Sequence, residues 1–336
     1  MIEYTFLLIG CGRIAQRHIV HIQQVGKLIG VCDIEKDKAE YLAAKAGAKS
    51  YTDYQQMLRE SKEATIVVIC TPNGLHSRHS IDALNAGFHV LCEKPMAIHT
   101  NDIALMLAAA EKNNKQLFVV KQNRFNPPVQ AVKKLLAEKR LGKIYSVQLT
   151  CLWNRPKEYY KDSWKGTKEL DGGTLFTQFS HFIDLLYWYF GDVGVISAIT
   201  KNAAHNDSIE FEDEGAVLLK LGNGIMGMFH YSVNTWQKNI EGSLVIVGKK
   251  GTVKIGGQYL NTLEYQLIDG YTIDDLPVGN SPNDYGTYQG SMSNHGAVYE
   301  NLIAVLNGKE TIATSGYEAG KTVAIIEDIY RKAIHL

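Results

Sequence analysis

Two residues in this sequence have the type and setting for proton and alkoxide chemistry. Lys94 stands in Cys92-Glu93-Lys94-Pro95-Met96-Ala97, directly after the apolar run His89–Cys92. A strand ending there delivers an ammonium to the sheet edge where ligands bind in α/β folds. Pro95 restricts Lys94 to an extended backbone and removes one donor. A partly desolvated lysine in that place can hydrogen-bond a substrate hydroxyl and favour its alkoxide as hydride leaves. The second residue is His181, in a stretch that reads as helix from about Thr174 to Phe190. His181, Asp184 and Trp188 share one face of that helix by their spacing. A lone histidine on an apolar helix is ordinarily a satisfied core residue. Here Asp184 is a carboxylate near enough to orient the imidazole, whose ordinary pKa of about 6.5 suits a base near neutral pH.

Hydride needs an acceptor, and the first strand supplies a place for one. Phe6-Leu7-Leu8-Ile9-Gly10-Cys11-Gly12-Arg13-Ile14-Ala15 reads as strand, glycine turn and helix start. Gly10, Gly12 and Ala15 fit the dinucleotide pattern G-x-G-x-x-A. Gly10 permits the turn, Gly12 lets a pyrophosphate approach the backbone, and Ala15 lets the helix pack close. The free N–H groups of that helix face the phosphates. The second apolar strand ends in Asp33, 21 residues after Gly12, where a carboxylate can accept from ribose hydroxyls. It would repel a 2′-phosphate, so NAD is expected rather than NADP, although Lys36 and Lys38 can soften that repulsion.

Other polar groups fall at strand ends. Thr71 and Asn73, with His76 beyond, follow the run Thr65–Cys70; Asn73 reads equally as a helix cap and His76 as a surface histidine. Gln122 and Arg124 follow Gln116–Val120; Arg124 can clamp a carboxylate or phosphate or form a structural salt bridge. The segment Trp153 to Gly166 is rich in aromatics and cations, among them Tyr160, Trp164 and Lys165. Such side chains stack on rings and meet phosphates, or simply pack. His295, in Ser293-Asn294-His295, opens a late helix and is a further candidate for substrate contact.

The elements that must position these groups are legible as alternation. Through residue 120, continuous apolar runs alternate with amphipathic stretches such as Lys38–Ala46, Leu75–Ala86 and Asp102–Asn113. That pattern predicts an α/β fold, an N-terminal Rossmann doubly wound parallel sheet. From Ile144 the runs become alternating strands, Tyr145–Leu152, Val195–Lys201, Gly215–Leu221, Ile225–Val233, Ser243–Gly248, Gly251–Ile255 and Leu263–Leu267, with Gly222-Asn223-Gly224 as a hairpin turn. They predict a C-terminal α+β domain on a largely antiparallel open sheet. We expect an NAD-binding domain over 1–122 and a substrate-binding and oligomerisation domain over 123–336, with the last helices able to return to the first. Met1–Tyr4 begins the first strand, and Tyr317–Ile334 forms a scaffold helix.

The combination of Gly10-Cys11-Gly12-Arg13-Ile14-Ala15, Thr71-Pro72-Asn73 with His76, and Glu93-Lys94-Pro95 resembles the glucose–fructose oxidoreductase / inositol dehydrogenase family. The resemblance implies that Lys94 lies between nicotinamide and substrate. A Gly-Gly turn leading into H-x-x-D, here Gly172-Gly173 and His181–Asp184, is similar to that family's second signature. Many members carry Asp or Asn where this chain has Thr177, which removes a carboxylate from the site; Phe179 stands where small residues are usual. The reading places cofactor contacts at Gly10, Gly12, Arg13, Ile14, Asp33, Ile34, Thr71, Asn73, His76, Glu93, Lys94, Gln122, Trp164 and Lys165. Substrate contacts are expected at Lys94, Arg124, Tyr160, Lys165, Thr177, His181 and His295. The loops at 122–128 and 160–166 look most like those of bacterial nucleotide-sugar 3-dehydrogenases acting on UDP-N-acetylglucosaminuronic acid in surface-polysaccharide synthesis. The rivals are a catabolic inositol or free-sugar dehydrogenase and a non-catalytic NAD-binding regulatory protein. The open sheet of that family often supports a homodimer or homotetramer.

Composition closes off other classes. The 336 residues carry 35 Lys+Arg against 35 Asp+Glu, so neither nucleic acid nor an anionic membrane is expected as partner. No apolar run approaches the roughly 18–20 residues of a membrane span, and the start lacks a signal-peptide pattern, so a cytoplasmic protein is expected. The five cysteines, Cys11, Cys32, Cys70, Cys92 and Cys151, form no C-x-x-C. They read as reduced, buried small hydrophobes, and no metal site is expected.

Overall fold

The computed structural model describes residues 4–284 and 289–336. The expected strand start at Met1–Glu3 lies outside them. By internal contacts the chain forms two units: Met1–Lys121 with His295–Val323, and Gln122–Asn294 with Ala324–Leu336.

The first unit begins with β1 (Tyr4–Ile9), α1 (Ala15–Val25), β2 (Gly26–Cys32), α2 (Lys36–Ala46), β3 (Lys49–Tyr51), α3 (Tyr54–Glu60) and β4 (Ile66–Ile69). It continues with α4 (His76–Asn85), β5 (His89–Cys92), α5 (Thr100–Lys112) and β6 (Leu117–Val119). All six strands are parallel, in the order β3-β2-β1-β4-β5-β6. Phe6, Leu7, Leu8, Val67, Val68, Val90 and Leu91 are fully buried, as continuous apolar strands covered on both faces require. The order reverses between β1 and β4, so ligands belong beyond the C-terminal ends of these strands. The edge strand β3 and helix α3 are absent from the apolar runs because Lys49-Ser50-Tyr51 is polar and short.

The second unit opens with α6 (Pro127–Ala137), whose first turn carries proline, then β7 (Ile144–Leu152). A π-turn over Leu175–Phe179 leads into α7 (Ser180–Phe190). Then come β8 (Val193–Lys201), β9 (Glu214–Leu221), β10 (Ile225–Ser232), β11 (Glu241–Gly248), β12 (Gly251–Gly256), β13 (Thr262–Ile268) and the short pair β14 (Pro282–Asp284) and β15 (Gln289–Met292). The chain re-enters the first unit with α8 (His295–Leu306); α9 (Gly316–Lys332) begins there and ends in the second unit, and β16 (Ala333–His335) closes the chain. The eight-stranded sheet runs β13-β12-β11-β7-β10-β9-β8-β16. Only the pairings β10 with β7 and β16 with β8 are parallel. Asn223, in the left-handed region at φ 61°, makes the expected β9–β10 turn. The expected helix Tyr317–Ile334 is corrected at its end: it stops at Lys332, and Ala333–His335 joins the sheet.

Candidate active site

In the first unit the glycine turn has the shape a pyrophosphate needs. Gly10 has φ +96°, and a Cβ there would lie 2.6 Å from the Cys70 carbonyl, so a side chain is excluded by backbone. A Cβ on Gly12 would meet nothing within 4 Å, which leaves open space above that backbone. Ile14 gives α1 no side-chain cap, and the Ala15 and Arg17 N–H groups bond back to the Gly12 and Ile14 carbonyls at 3.2 and 2.9 Å, so it is the positive end of the helix dipole that favours an anion at this turn. Arg13 is exposed and Ile14 half-buried beside them.

Asp33 follows β2. Its Oδ2 accepts the Cys11 N–H at 2.7 Å and its Oδ1 the Glu35 N–H at 2.9 Å, which ties the carboxylate to the glycine turn. Lys38 pairs with Glu35 and Lys36 lies 3.6 Å from Glu40, so both lysines have acids of their own. Ile34 is 91% exposed and offers an uncovered apolar surface next to Asp33. These features fit an adenosine with unmodified 2′-hydroxyl.

Thr71 and Asn73 lie on the turn after β4, Thr71 half-buried and hydrogen-bonded to His79 at 3.1 Å, Asn73 buried. Lys94 is half-buried after β5. The side chains of two neighbours expected to touch cofactor turn inward. The ring nitrogens of His76 lie 2.6 Å from the Pro95 carbonyl and 2.8 Å from the Thr71 carbonyl. Burial holds its pKa down, and a neutral ring donates to only one of the two. His76 therefore braces the turns that carry Thr71 and Lys94. Glu93 Oε1 lies 2.9 Å from His18 Nε2 and 3.4 Å from His295 Nε2, and its Oε2 accepts the Lys94 N–H at 3.0 Å. Burial pushes this carboxyl up, but the bond from His18 and the neighbouring His295 ring outweigh it and leave its pKa well below the ordinary range.

His295, expected at the substrate, belongs to this cluster because α8 returns the chain to the first unit; it is 1% exposed. Tyr299 completes it at 2.7 Å from His18 Nδ1. His18, Glu93 and His295 offer ligand-type atoms within 4.8 Å of one another. The 2.9 Å separation is that of a hydrogen bond, His18 Nε2 donating to the carboxylate. Sequence reasoning missed His18, although Ala15, His18, Ile19 and Ile22 line one buried face of α1. A polar residue on that stripe needs a buried partner.

In the second unit His181 is 2% exposed on α7. Arg124 and Asp184 meet in the salt bridge that the sequence offers as the alternative reading of Arg124. Arg124 Nε donates to Asp184 Oδ2 at 2.7 Å and Nη2 donates to Oδ1 at 2.9 Å, a bidentate pair in which both side chains are at most 2% exposed. The guanidinium also lies 5.3 Å over Trp188. The fork of each residue is thus engaged by the other. Thr177, the expected loss of a carboxylate, instead donates its hydroxyl to Asp171. Asp171 is 1% exposed and also accepts the Gly166 N–H at 2.8 Å. A carboxylate therefore reaches this turn from the preceding loop, directly before the Gly172-Gly173 turn. Phe179 is fully buried among Trp153, Phe182, Phe229 and Tyr231, which accounts for its size.

Gln122 is 5% exposed, and its side-chain oxygen has no hydrogen-bond partner among the described residues. Such an acceptor is costly unless a ligand supplies a donor. Tyr160 is buried rather than open to substrate; its ring meets Tyr159 and His205 edge-on at 4.9 and 5.4 Å. Trp164 and Lys165 are half-exposed, with Lys165 Nζ 4.5 Å over Tyr159 and 5.5 Å over Trp164. Arg155, not anticipated, donates from Nε to Gln178 at 2.7 Å, and Gln178 donates to the Tyr159 hydroxyl at 3.0 Å. The aromatic and cationic loop is thereby bonded to the turn that precedes His181. All five cysteines are buried and free; burial raises the pKa of Cys11, Cys32 and Cys92 to about 12, so these thiols are inert.

Comparison with known proteins agrees with this anatomy. Residues 4–121 match the GFO/IDH/MocA oxidoreductase family with NAD-binding Rossmann fold, and residues 129–254 match its C-terminal domain. A WlbA dehydrogenase from Chromobacterium violaceum, solved with NADH and UDP-GlcNAcA, is 37% identical with a TM-score of 0.90, covering 98% of this chain and 93% of that one. The WlbA dehydrogenase of Bordetella pertussis, solved with the same two ligands, is 36% identical with a TM-score of 0.90, covering 98% and 96%. Glucose-6-phosphate 3-dehydrogenase of Bacillus subtilis is 27% identical, covering 83% of this chain and 82% of that one. The chain is a member of the GFO/IDH/MocA family of sugar-oxidising, NAD-dependent oxidoreductases, and its first unit is the family's NAD-binding domain.

Proposed function

We propose that the protein oxidises a secondary hydroxyl of an acidic nucleotide sugar, C3 of a UDP-N-acetylhexosaminuronic acid, in surface-polysaccharide biosynthesis. The observation that supports this most is the end-to-end likeness, above 35% identity, to two dehydrogenases each bound to NADH and UDP-GlcNAcA. The half-exposed Lys165 on its aromatic bed, bonded through Tyr159 and Gln178 toward the His181 turn, suits an anionic substrate.

The roles follow from chemistry. Gly10, Gly12 and the start of α1 hold the pyrophosphate of NAD, and Asp33 accepts from the adenosine ribose. NAD, when bound, supplies the hydride acceptor. Lys94 Nζ hydrogen-bonds the reacting hydroxyl oxygen and stabilises negative charge on it. A ring nitrogen of His181 takes the hydroxyl proton. Lys94→Met therefore lowers turnover by orders of magnitude while NAD still binds; intact turnover would remove Lys94 from the reaction.

A homodimer or homotetramer accompanies this reading. The open face of the eight-stranded sheet carries Ile199, Leu218, Met226 and Met228, each 44–57% exposed, an apolar surface that a second copy would cover. Among the described residues no helix is long and apolar enough to cross a membrane.

The test is absorbance at the reduced-nicotinamide wavelength with NAD and UDP-N-acetylglucosaminuronic acid, glucose 6-phosphate or myo-inositol. Signal with the nucleotide sugar alone is expected. Signal with glucose 6-phosphate alone would favour the sugar-phosphate reading that the Bacillus relative suggests. Signal with inositol alone would place the enzyme in free-polyol catabolism. Adding a 2-oxo acid and assaying its reduced product shows whether reduced cofactor is recycled in place.

A further inference from the structure

The segment before His181 does not wind as an α-helix. Leu175–Phe179 form one π-turn, and regular α-helix resumes at Ser180. A π-turn inserts a residue into the helix and re-aims the side chains beyond it. Side chains from elsewhere in the unit bond to it.

Three contacts do this. The Leu175 N–H donates to the Tyr330 hydroxyl at 3.0 Å, and that hydroxyl donates to Glu212 Oε1 at 2.8 Å. Thr174 Oγ1 donates to the Glu212 backbone carbonyl at 2.5 Å. Thr177, in the middle of the turn, donates to Asp171. Tyr231 adds a second hydroxyl on Glu212 Oε1 at 3.2 Å. The approach is tight: Gly173 has φ +141°, and a Cβ there would lie 2.2 Å from the Tyr330 hydroxyl. Glycine at 173 is what lets that hydroxyl reach the Leu175 N–H. Glu212 is 5% exposed, and among the described residues its side-chain partners are hydroxyls, not cations. Burial lifts its pKa to about 8, so near pH 7 it is mostly a neutral acid, the form that a site without a cation tolerates.

We propose that Tyr330 and Glu212 are positioning residues for the base: they anchor the start of the π-turn and so set where His181 stands on α7. The proposal rests on the reading of His181 as base. It assigns a role in turnover to residues on α9 and before β9, remote in sequence from every residue of the proposed reaction.

Tyr330→Phe removes one hydroxyl and keeps the ring that packs 5.9 Å from Phe176. Glu212→Ala removes the second link, and Glu212→Gln keeps a carbonyl acceptor for both hydroxyls. We would measure kcat, KM and thermal midpoint for each variant. We would also follow the His181 titration by NMR without substrate, assigned by loss of its signal in His181→Asn. Expected are a tenfold or larger fall in kcat for Tyr330→Phe and Glu212→Ala, with KM and thermal midpoint close to the parent. The His181 midpoint moves by about half a pH unit or more, and Glu212→Gln returns kcat to within about threefold. A parental kcat and an unmoved His181 titration in Tyr330→Phe would overturn the proposal. So would a fall in kcat that merely tracks loss of folded protein and is shared by Glu212→Gln. If Tyr330→Phe does not fold, Glu212→Ala decides by the same criteria. Normal turnover by His181→Asn would defeat the base reading, while a shifted His181 titration in Tyr330→Phe would still support the anchoring.

Discussion

Arg124 separates a structural from a substrate-binding use of the same guanidinium. Its fork is matched to Asp184 by bonds of 2.7 and 2.9 Å, with both side chains at most 2% exposed. Arg124→Met leaves the Asp184 carboxylate buried without its cation. Removing one partner of a buried pair costs about 3–5 kcal/mol, whereas replacing both with apolar groups of similar volume is often neutral. In a body of 150–250 residues each kcal/mol moves the thermal midpoint roughly 2–4 °C, so the single variant should lose about 6–20 °C. Asp184→Leu should lose a similar amount, and Arg124→Met/Asp184→Leu should recover most of it. The assay is thermal unfolding followed by tryptophan fluorescence, which is apt because Trp188 lies 5.3 Å from the guanidinium. The reasoning fails if Arg124→Met shifts the midpoint by less than about 2 °C while raising KM for an acidic nucleotide sugar a hundredfold. In that event the arginine would be a substrate clamp, and Asp184 only its resting partner.

The two glycines of the phosphate turn should part company. Gly12→Val leaves folding intact, since its Cβ points into open space, but raises the NAD dissociation constant a hundredfold or more by calorimetry; Gly10→Ala meets the Cys70 carbonyl at 2.6 Å and lowers the thermal midpoint instead. Asp33→Asn keeps an oxygen for the Cys11 N–H while removing the charge that repels a 2′-phosphate, so the ratio of kcat/KM for NAD over NADP should fall about tenfold or more; an unchanged ratio would move cofactor choice elsewhere. Glu212 should give the fold a pH slope. An acid whose pKa is raised to about 8 in the folded protein holds its proton more tightly there than unfolded. Its contribution is complete below the ordinary carboxylate pKa and is lost as pH rises through about 8. Between pH 5 and 9 the thermal midpoint of Glu212→Gln should therefore fall less than the parent's, and parallel curves would show that Glu212 does not titrate there.

What could be read from the sequence was whatever local pattern controls. Continuous apolar strands, the glycine turn and the strand-end polar residues are fixed within a few neighbours of each other, so the parallel sheet, the NAD-binding domain and the place of Lys94 after β5 were all legible. Long-range return was not. His295 opens a helix whose sequence resembles any amphipathic helix, and only the fold brings it against Glu93 in the first unit. Ala333–His335 read as the end of a helix because the β8 edge it pairs with lies more than a hundred residues away. Charged side chains were the hardest to assign, for a physical reason. Arg124, Glu93 and His76 sit at strand ends where ligands bind, but a charge or ring in such a place is equally suited to bracing the turn that carries the reacting group. The choice depends on whether a partner of matching geometry is already within hydrogen-bond distance. For Arg124 it is Asp184, on a helix sixty positions later. For Glu93 it is His18, seventy-five positions earlier. Thr177 shows the converse: it stands where the resembled family often has Asp or Asn, and the carboxylate that meets this turn comes from Asp171, six residues before it. Site chemistry in this fold therefore has to be assigned to the partners that meet in space, since a position vacated in the motif can be filled from a neighbouring loop.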